Sequence, residues 1–338
     1  MKKRTVLSAL LSICMILGLA SGCGKQTAEP KEPETTETSA ETPKETKEEN
    51  AEVPAADATA PKMIGVSIAD QKNPFYIDIV EGMESVLKEG DKLVTMDANF
   101  DQARQISDIE DLLQQGVDIV LIDPVDGKGI QAALEACKAK NIPVVTFNSA
   151  VEDSSMVESN VATDNYMAGE LIGKALGEAL GGEGEVGMYT YSVVTVTNDR
   201  ANGFKDAIAQ FPGIKIVVEQ DGTPGVDTAL PVMESFLQSY PDLKGMFALN
   251  DPSAIGCVAA IESAGKLGEI LVVGVDGSAD GIANIKEGKM FASAAQDPQK
   301  IGSQSVEVAY QVLNGEPVEK EIKIPSFLID QNNVGQYS

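Results

Sequence analysis

The 338-residue chain has no histidine and no tryptophan, four cysteines, and only 26 basic side chains against 52 acidic ones. Without histidine, the Ser-His-Asp and Cys-His forms of nucleophilic catalysis are unavailable, and so is any His-ligated metal site. Carboxylate, lysine and thiol chemistry remain open, so catalysis is disfavoured rather than excluded. The formal charge of -26 repels phosphate backbones, which removes the electrostatic footprint of a nucleic-acid partner. The cysteines at 14, 23, 137 and 257 show no metal-type spacing. What is present is an ordinary apolar content and a length that suits about two domains.

The N-terminus has its own organisation. Lys2, Lys3 and Arg4 precede an apolar run over 6–19, and Ala20-Ser21-Gly22-Cys23 follows. That run is too short for an ordinary spanning helix and has the layout of an export signal. The small residues before Cys23 resemble a bacterial lipobox, so residues 1–23 are expected to be a lipoprotein signal ending at a lipidated Cys23. An extracytoplasmic, lipid-anchored location follows. Residues 24–60 are Glu, Thr, Pro, Lys and Ala with almost nothing apolar. They cannot bury enough surface to offset ordering entropy, which predicts a disordered acidic tether. Setting aside the +3 of the signal and the -6 of the tether takes the charge from -26 to -23 for residues 61–338. The acidity therefore belongs to the folded part.

From Lys62 onward, short β-branched runs alternate with longer helical patterns. Strands are predicted over 63–68, 92–96, 118–122, 143–147, 157–162, 185–189, 214–219, 245–249, 270–275 and 290–295. Helices are predicted over 74–88, 103–115, 128–140, 166–180, 199–210 and 252–264. Most strand runs are continuously apolar, as in sheets covered on both faces. The expected fold class is α/β, with two Rossmann-like, doubly wound parallel sheets rather than one. Cys137 and Cys257 lie in apolar helical patterns, as buried thiols rather than a disulfide.

Open α/β sheets bind ligands outside the carboxyl ends of their strands. Asp70, Asn73, Phe75 and Tyr76 follow the first strand, Asn148 and Ser149 the fourth. Asn250 and Asp251 follow the eighth, Asp276 the ninth and Gln296 the tenth. Planar amides and carboxylates engage vicinal hydroxyls in pairs, and rings cover the apolar face of a sugar. Each also has a plainer explanation: Asn73-Pro74 and Asp251-Pro252 suit helix starts, and Asp276-Gly277 suits a turn. Their shared position at strand ends is what marks them as a group.

The ordered set Asn73-Pro74-Phe75-Tyr76, Asp123-Pro124, Ile142-Pro143-Val144-Val145, Asp164-Asn165, Asn250-Asp251, Val273-Gly274-Val275-Asp276-Gly277 and Ala295-Gln296 resembles the ribose- and galactose-type periplasmic binding proteins, the solute receptors of sugar ABC transporters. The resemblance runs from about Lys62 to near the C-terminus. It implies two lobes, 61–163 with 297–325 and 164–296 with 326–338, joined by three hinge crossovers. It implies solute contacts from Asn73, Phe75, Tyr76, Asn148 and Ser149 in the first lobe, and from Asn250, Asp276 and Gln296 in the second lobe and hinge. Ser149 stands where the ribose type has an arginine. A second arginine of that type aligns with Asn198, which leaves Arg200 as a structural helix residue, or as a ligand if the register shifts. The second-lobe aromatic falls in 222–227, where no ring stands; Tyr189 or Tyr191 would supply one instead.

The resemblance further implies a sugar or polyol as ligand, an ABC permease as partner, membrane attachment through the lipid alone, a monomer, no cofactor and no catalysis. A sensor presenting its ligand to a membrane kinase or chemoreceptor is the alternative on the same fold. A nicotinamide dehydrogenase would need G-x-G-x-x-G after the first strand, where Val66-Ser67-Ile68-Ala69-Asp70 stands instead. A sugar-responsive repressor would need a helix-turn-helix headpiece in place of the signal and tether.

Overall fold

The computed structural model describes residues 60–337; the signal, Cys23 and nearly all of the tether lie outside the described residues. Among the described residues, twelve strands form two six-stranded sheets. The first runs in the order β11-β5-β4-β3-β1-β2, from β1 (Met63–Ile68), β2 (Lys92–Asp97), β3 (Ile119–Ile122), β4 (Val144–Phe147), β5 (Ser159–Thr163) and β11 (Glu321–Ile324). The second runs β12-β10-β9-β8-β6-β7, from β6 (Glu183–Thr190), β7 (Gly213–Asp221), β8 (Leu243–Ala248), β9 (Leu271–Asp276), β10 (Ala292–Ala295) and β12 (Phe327–Asp330). The chain passes between sheets after β5, after β10 and after β11.

Helices cover both faces of each sheet, which is why the inner strands are largely apolar. In the first sheet, α1 (Pro74–Glu84) and α9 (Pro298–Leu313) close one face around Ile64, Val66, Ile79 and Ile301. The opposite face carries α2 (Gln102–Gln115) and α3 (Gln131–Ala139), packed on Val120 and Ile122. In the second sheet, α4 (Asn165–Ala179) and α5 (Thr195–Ile208) cover one face, and α6 (Val226–Ser239), α7 (Asp251–Ser263) and α8 (Ala279–Lys286) the other. Each fully buried Ile or Leu contributes roughly 1.5–3 kcal/mol. Cys137 and Cys257 are buried and unpaired.

Besides the earlier end of α1 at Glu84 and the later start of α3 at Gln131, three features depart from the sequence pattern. Strands β11 and β12 have no counterpart in it, because their four-residue runs are half exposed and never continuously apolar. β12 is antiparallel to β10 in an otherwise parallel sheet. And α5 begins at Thr195, four residues before the expected start. The β-branched Thr195-Val196-Thr197 run does not advertise a helix, but the Thr197 hydroxyl bonds back to the carbonyls of Tyr191 and Val194 and fixes the first turn. Helices α4 and α5 then cross so closely at Gly169 and Gly203 that a Cβ there would strike the carbonyl of Arg200 or of Tyr166. That crossing sets where the side chains of α5 point. Among the described residues, no helix is long and apolar enough to cross a membrane.

Candidate binding site

A cavity of about 330 Å³ opens at the carboxyl ends of both sheets, with walls from each. On the first-sheet side, Asn73 caps α1, its side-chain oxygen accepting from the Phe75 amide at 3.0 Å, and also borders the cavity. Pro74 in the first turn starts the helix, and its next residues, Phe75 and Tyr76, meet edge to face at 5.5 Å on the wall. Capping and cavity lining are thus compatible roles for one asparagine.

Asp123, just past β3, is the polar centre of this wall and is 1% exposed. Its carboxylate accepts from Asn148 Nδ2, at 3.3 Å to each oxygen. Burial pushes its pKa up to about 7, against the pull of the neighbouring Asn148, Ser149 and Tyr76. Burial, and then the charge of Asp123, hold the Tyr76 hydroxyl well above its ordinary value. Gln105, fully buried on α2, fixes the segment from behind: its Nε2 donates to the Asp123 carbonyl at 2.8 Å and its Oε1 accepts from the Val125 amide at 2.9 Å. Asn148 reaches Asp123 from a left-handed backbone, φ +59°.

The second wall is built around an ion pair. Arg200 is 5% exposed; its Nε donates to Asn165 Oδ1 at 2.8 Å and its Nη1 to the Leu249 carbonyl at 2.9 Å. The same Nη1 lies 3.6 Å from Asp276 Oδ1. Gln296 donates to that oxygen at 2.7 Å and accepts from the Thr163 hydroxyl at 2.6 Å, while Asn165 Nδ2 returns to the Thr163 carbonyl at 3.0 Å. Arg200, Asp276, Gln296, Thr163 and Asn165 therefore close a ring of contacts that includes two of the three points where the chain changes sheets. Burial lowers the Arg200 pKa, opposed by Asp276, Asp251 and Tyr76; burial raises Asp276, opposed by Arg200.

Asn250 caps α7 through the Ser253 amide at 3.0 Å and borders the cavity beside Leu249. Asp251, fully buried behind it, takes bonds from the Ser278 amide at 2.8 Å and the Ser293 hydroxyl at 2.6 Å. It thereby anchors the turn after Asp276, whose φ is +137°. Burial, then the neighbouring Asp276 charge, raise the Asp251 pKa.

Asn73, Phe75, Tyr76, Asn148, Ser149, Asn250, Asp276 and Gln296 all come together on the cavity wall. Tyr191 joins them from the second sheet, whereas Tyr189 does not. Tyr189 lies inside β6 rather than after it, is 1% exposed, and donates to the Thr223 carbonyl from behind the wall. Asp70 serves the turn before α1, accepting from the Lys72 amide at 3.2 Å, and stays off the wall. The expectation for α5 is reversed. Asn198 turns away and donates to the Ser192 carbonyl at 3.0 Å, while Arg200 faces the cavity. The two positions are about 200° apart around the helix, so only one of them can face inward. Asp123, Phe100, Thr197 and Thr223 also border the cavity without having been named as solute contacts. Asp123 obeys the same strand-end rule that marked the others, so the signal for it was present. Among the described residues, no cluster of three or more His, Cys, Asp or Glu could hold a metal ion.

Two lobes of parallel sheet with a polar, ring-lined cavity between their carboxyl ends define the class: a two-lobed α/β solute receptor. Residues 64–317 match the periplasmic binding protein domain. The chain is 38% identical to the Ribose import binding protein RbsB of Bacillus subtilis (strain 168), over 78% of this chain and 85% of that protein. Among solved structures, an ABC transporter periplasmic solute binding protein from Actinobacillus succinogenes 130z with bound D-allose superposes with a TM-score of 0.77. It is 27% identical, covering 82% of this chain and all of that one. One from Bacillus halodurans C-125 with bound myo-inositol also superposes at 0.77, with 26% identity and 82% and 97% coverage. The chain belongs to the periplasmic binding protein family.

Proposed function

We propose that this chain captures a sugar or related polyol in the cavity between its lobes and delivers it to the permease of an ABC transporter. The observation that carries this reading is the pairing of amides and carboxyls with rings on both walls, in a chain similar to a protein named for ribose and to structures with D-allose and myo-inositol bound. No bond is broken. Arg200 offers donors in a fixed fork, Asp276 and Asp123 accept, and Asn73, Asn148, Asn250 and Gln296 do either. The solute bridges both walls and selects the closed form through contacts that the open form lacks. A wrong epimer leaves one of these buried groups unmatched, at a cost of roughly 1–3 kcal/mol for each. Transport is preferred to sensing because a relative 38% identical to this chain is named as an import protein.

In this reading the lobes are 61–163 with 297–325 and 164–296 with 326–338, and the ring through Thr163 and Gln296 ties the bound solute to the hinge. Cys23 carries the lipid that holds a monomeric receptor at the outer face of the cell membrane. The test is a thermal-shift screen of the full chain against D-ribose, D-allose, xylitol and myo-inositol. A true ligand in about hundredfold excess over its Kd adds about 2.7 kcal/mol, raising Tm by roughly 5 °C or more. No shift from any sugar or polyol would sink the reading.

A further inference from the structure

Of the rings that border the cavity, only Phe100 is exposed, at 61%. It lies in the loop between β2 and α2, outside every apolar core of the described residues. A phenyl ring in that position contributes nothing to the buried core. Its backbone is also unusual. Asn99 and Phe100 both sit in the left-handed region, at φ +50° and +55°, without a glycine. Asparagine tolerates that conformation; a bulky aromatic does not adopt it without constraint.

The constraint is visible. The Phe100 amide donates to the Ala69 carbonyl at 2.7 Å, and the Ala98 amide to the Ile68 carbonyl at 3.0 Å. Asp97 Oδ1 accepts from the amides of Asn99 at 2.9 Å and Gln71 at 3.2 Å, and Lys72 Nζ donates to Asn99 Oδ1 at 2.6 Å. Every one of these bonds ties the loop to itself, to the last residue of β1 or to the segment after it that leads into Asn73 and Phe75. A strained, over-determined residue beside a cavity points to a role in that cavity. Across the cleft, the second lobe presents Thr223 and Pro224 and no ring at that stretch.

We propose that Phe100 contacts the bound solute at the cavity mouth, covering the flat C–H face of a cyclic sugar, and so sets a preference for ring-form sugars over open-chain polyols. The inference rests on the sugar-receptor reading above. An aromatic face gains most from C–H groups gathered on one side of a rigid ring, an arrangement that a flexible alditol does not hold.

The experiment is isothermal titration of the full chain with D-ribose and D-allose, each beside its alditol, for wild type, Phe100→Asn and Phe100→Tyr. Asparagine suits the left-handed backbone, so Phe100→Asn should leave the Tm of the ligand-free protein unchanged or raise it. The expected result is affinity for the cyclic sugar about tenfold weaker in Phe100→Asn, against less than about threefold for the alditol, with Phe100→Tyr close to wild type. Equal affinities in wild type and Phe100→Asn, or equal losses for sugar and alditol, overturn the inference and leave the receptor reading standing. If neither sugar nor alditol binds wild type, the receptor reading fails and the inference with it.

Discussion

The two walls of the cavity handle buried charge in different ways. The first lobe sets one carboxyl, Asp123, among neutral donors and no cation, and burial raises its pKa to about 7. The second sets Asp276 and Asp251 near one guanidinium, Arg200, and ties Asp276 into a contact ring that reaches the hinge, while Ser278 and Ser293 hold Asp251 behind it. A proton neutralises Asp123 in the first wall; in the second a counter-charge partners Asp276, and burial pushes Asp251 behind it up to about 7 as well. Each wall therefore holds a carboxyl that can change state near neutral pH, and the two differ in that Asp276 of the second also has a cation that it cannot lose cheaply. A neutral solute suits both, because it replaces water on groups already matched to one another.

Removing Arg200 tests the second wall most severely. Arg200→Ala leaves Asp276 buried without its cation, and about 3–5 kcal/mol of stability should be lost by urea denaturation. Adding Asp276→Asn to that background should recover part of it, since the orphaned charge goes. A loss under about 1 kcal/mol would mean that the ion pair does not hold this wall.

Asp123→Asn tests the first wall, and the sign is set by the raised pKa. The stabilising protonated form is complete below the ordinary 3.8, and its contribution is lost as pH rises through about 7. The amide has no proton to lose, so the ligand-free variant should match wild type near pH 4 and exceed it at pH 8, by at most about 4 kcal/mol. A gain that grows toward acid would refute this account of the wall. Gln296→Ala comes next: it removes the bonds to Thr163 and Asp276, for about 1–3 kcal/mol and a weaker sugar affinity together. The smallest effect should be that of Asn198→Ala. Its stability should stay within about 0.5 kcal/mol of wild type and its sugar affinity should not move; a clear loss of affinity would restore Asn198 to the site.

Much of this was legible along the chain because strands covered on both faces write continuous apolar runs, and the polar residues that follow them stand out. Asn73, Asn148, Asn250, Asp276 and Gln296 were found that way, and Asp123 was open to the same rule. Phe100 was not, because its loop departs from strand geometry through two left-handed residues that no glycine marks. Arg200 and Asn198 are two places apart on one helix, and the choice between them depends on where that helix starts and how it crosses α4. Gly169 and Gly203 permit that crossing, yet nothing in their local sequence says which helices meet there. Strands β11 and β12 escaped because short, half-exposed edge strands carry little apolar signal.

By itself the sequence determined the alternation of strands and helices, the acidity of the folded part, and the absence of histidine chemistry. These follow from local pattern and composition, which need no partner in space. Only the tertiary structure decided that Asp123 becomes a carboxyl titrating near neutrality, that Arg200 faces the cavity in place of Asn198, and that Tyr189 braces a loop while Tyr191 lines the wall. Burial and facing direction are properties of packed neighbours, and these neighbours come from segments far apart in the chain.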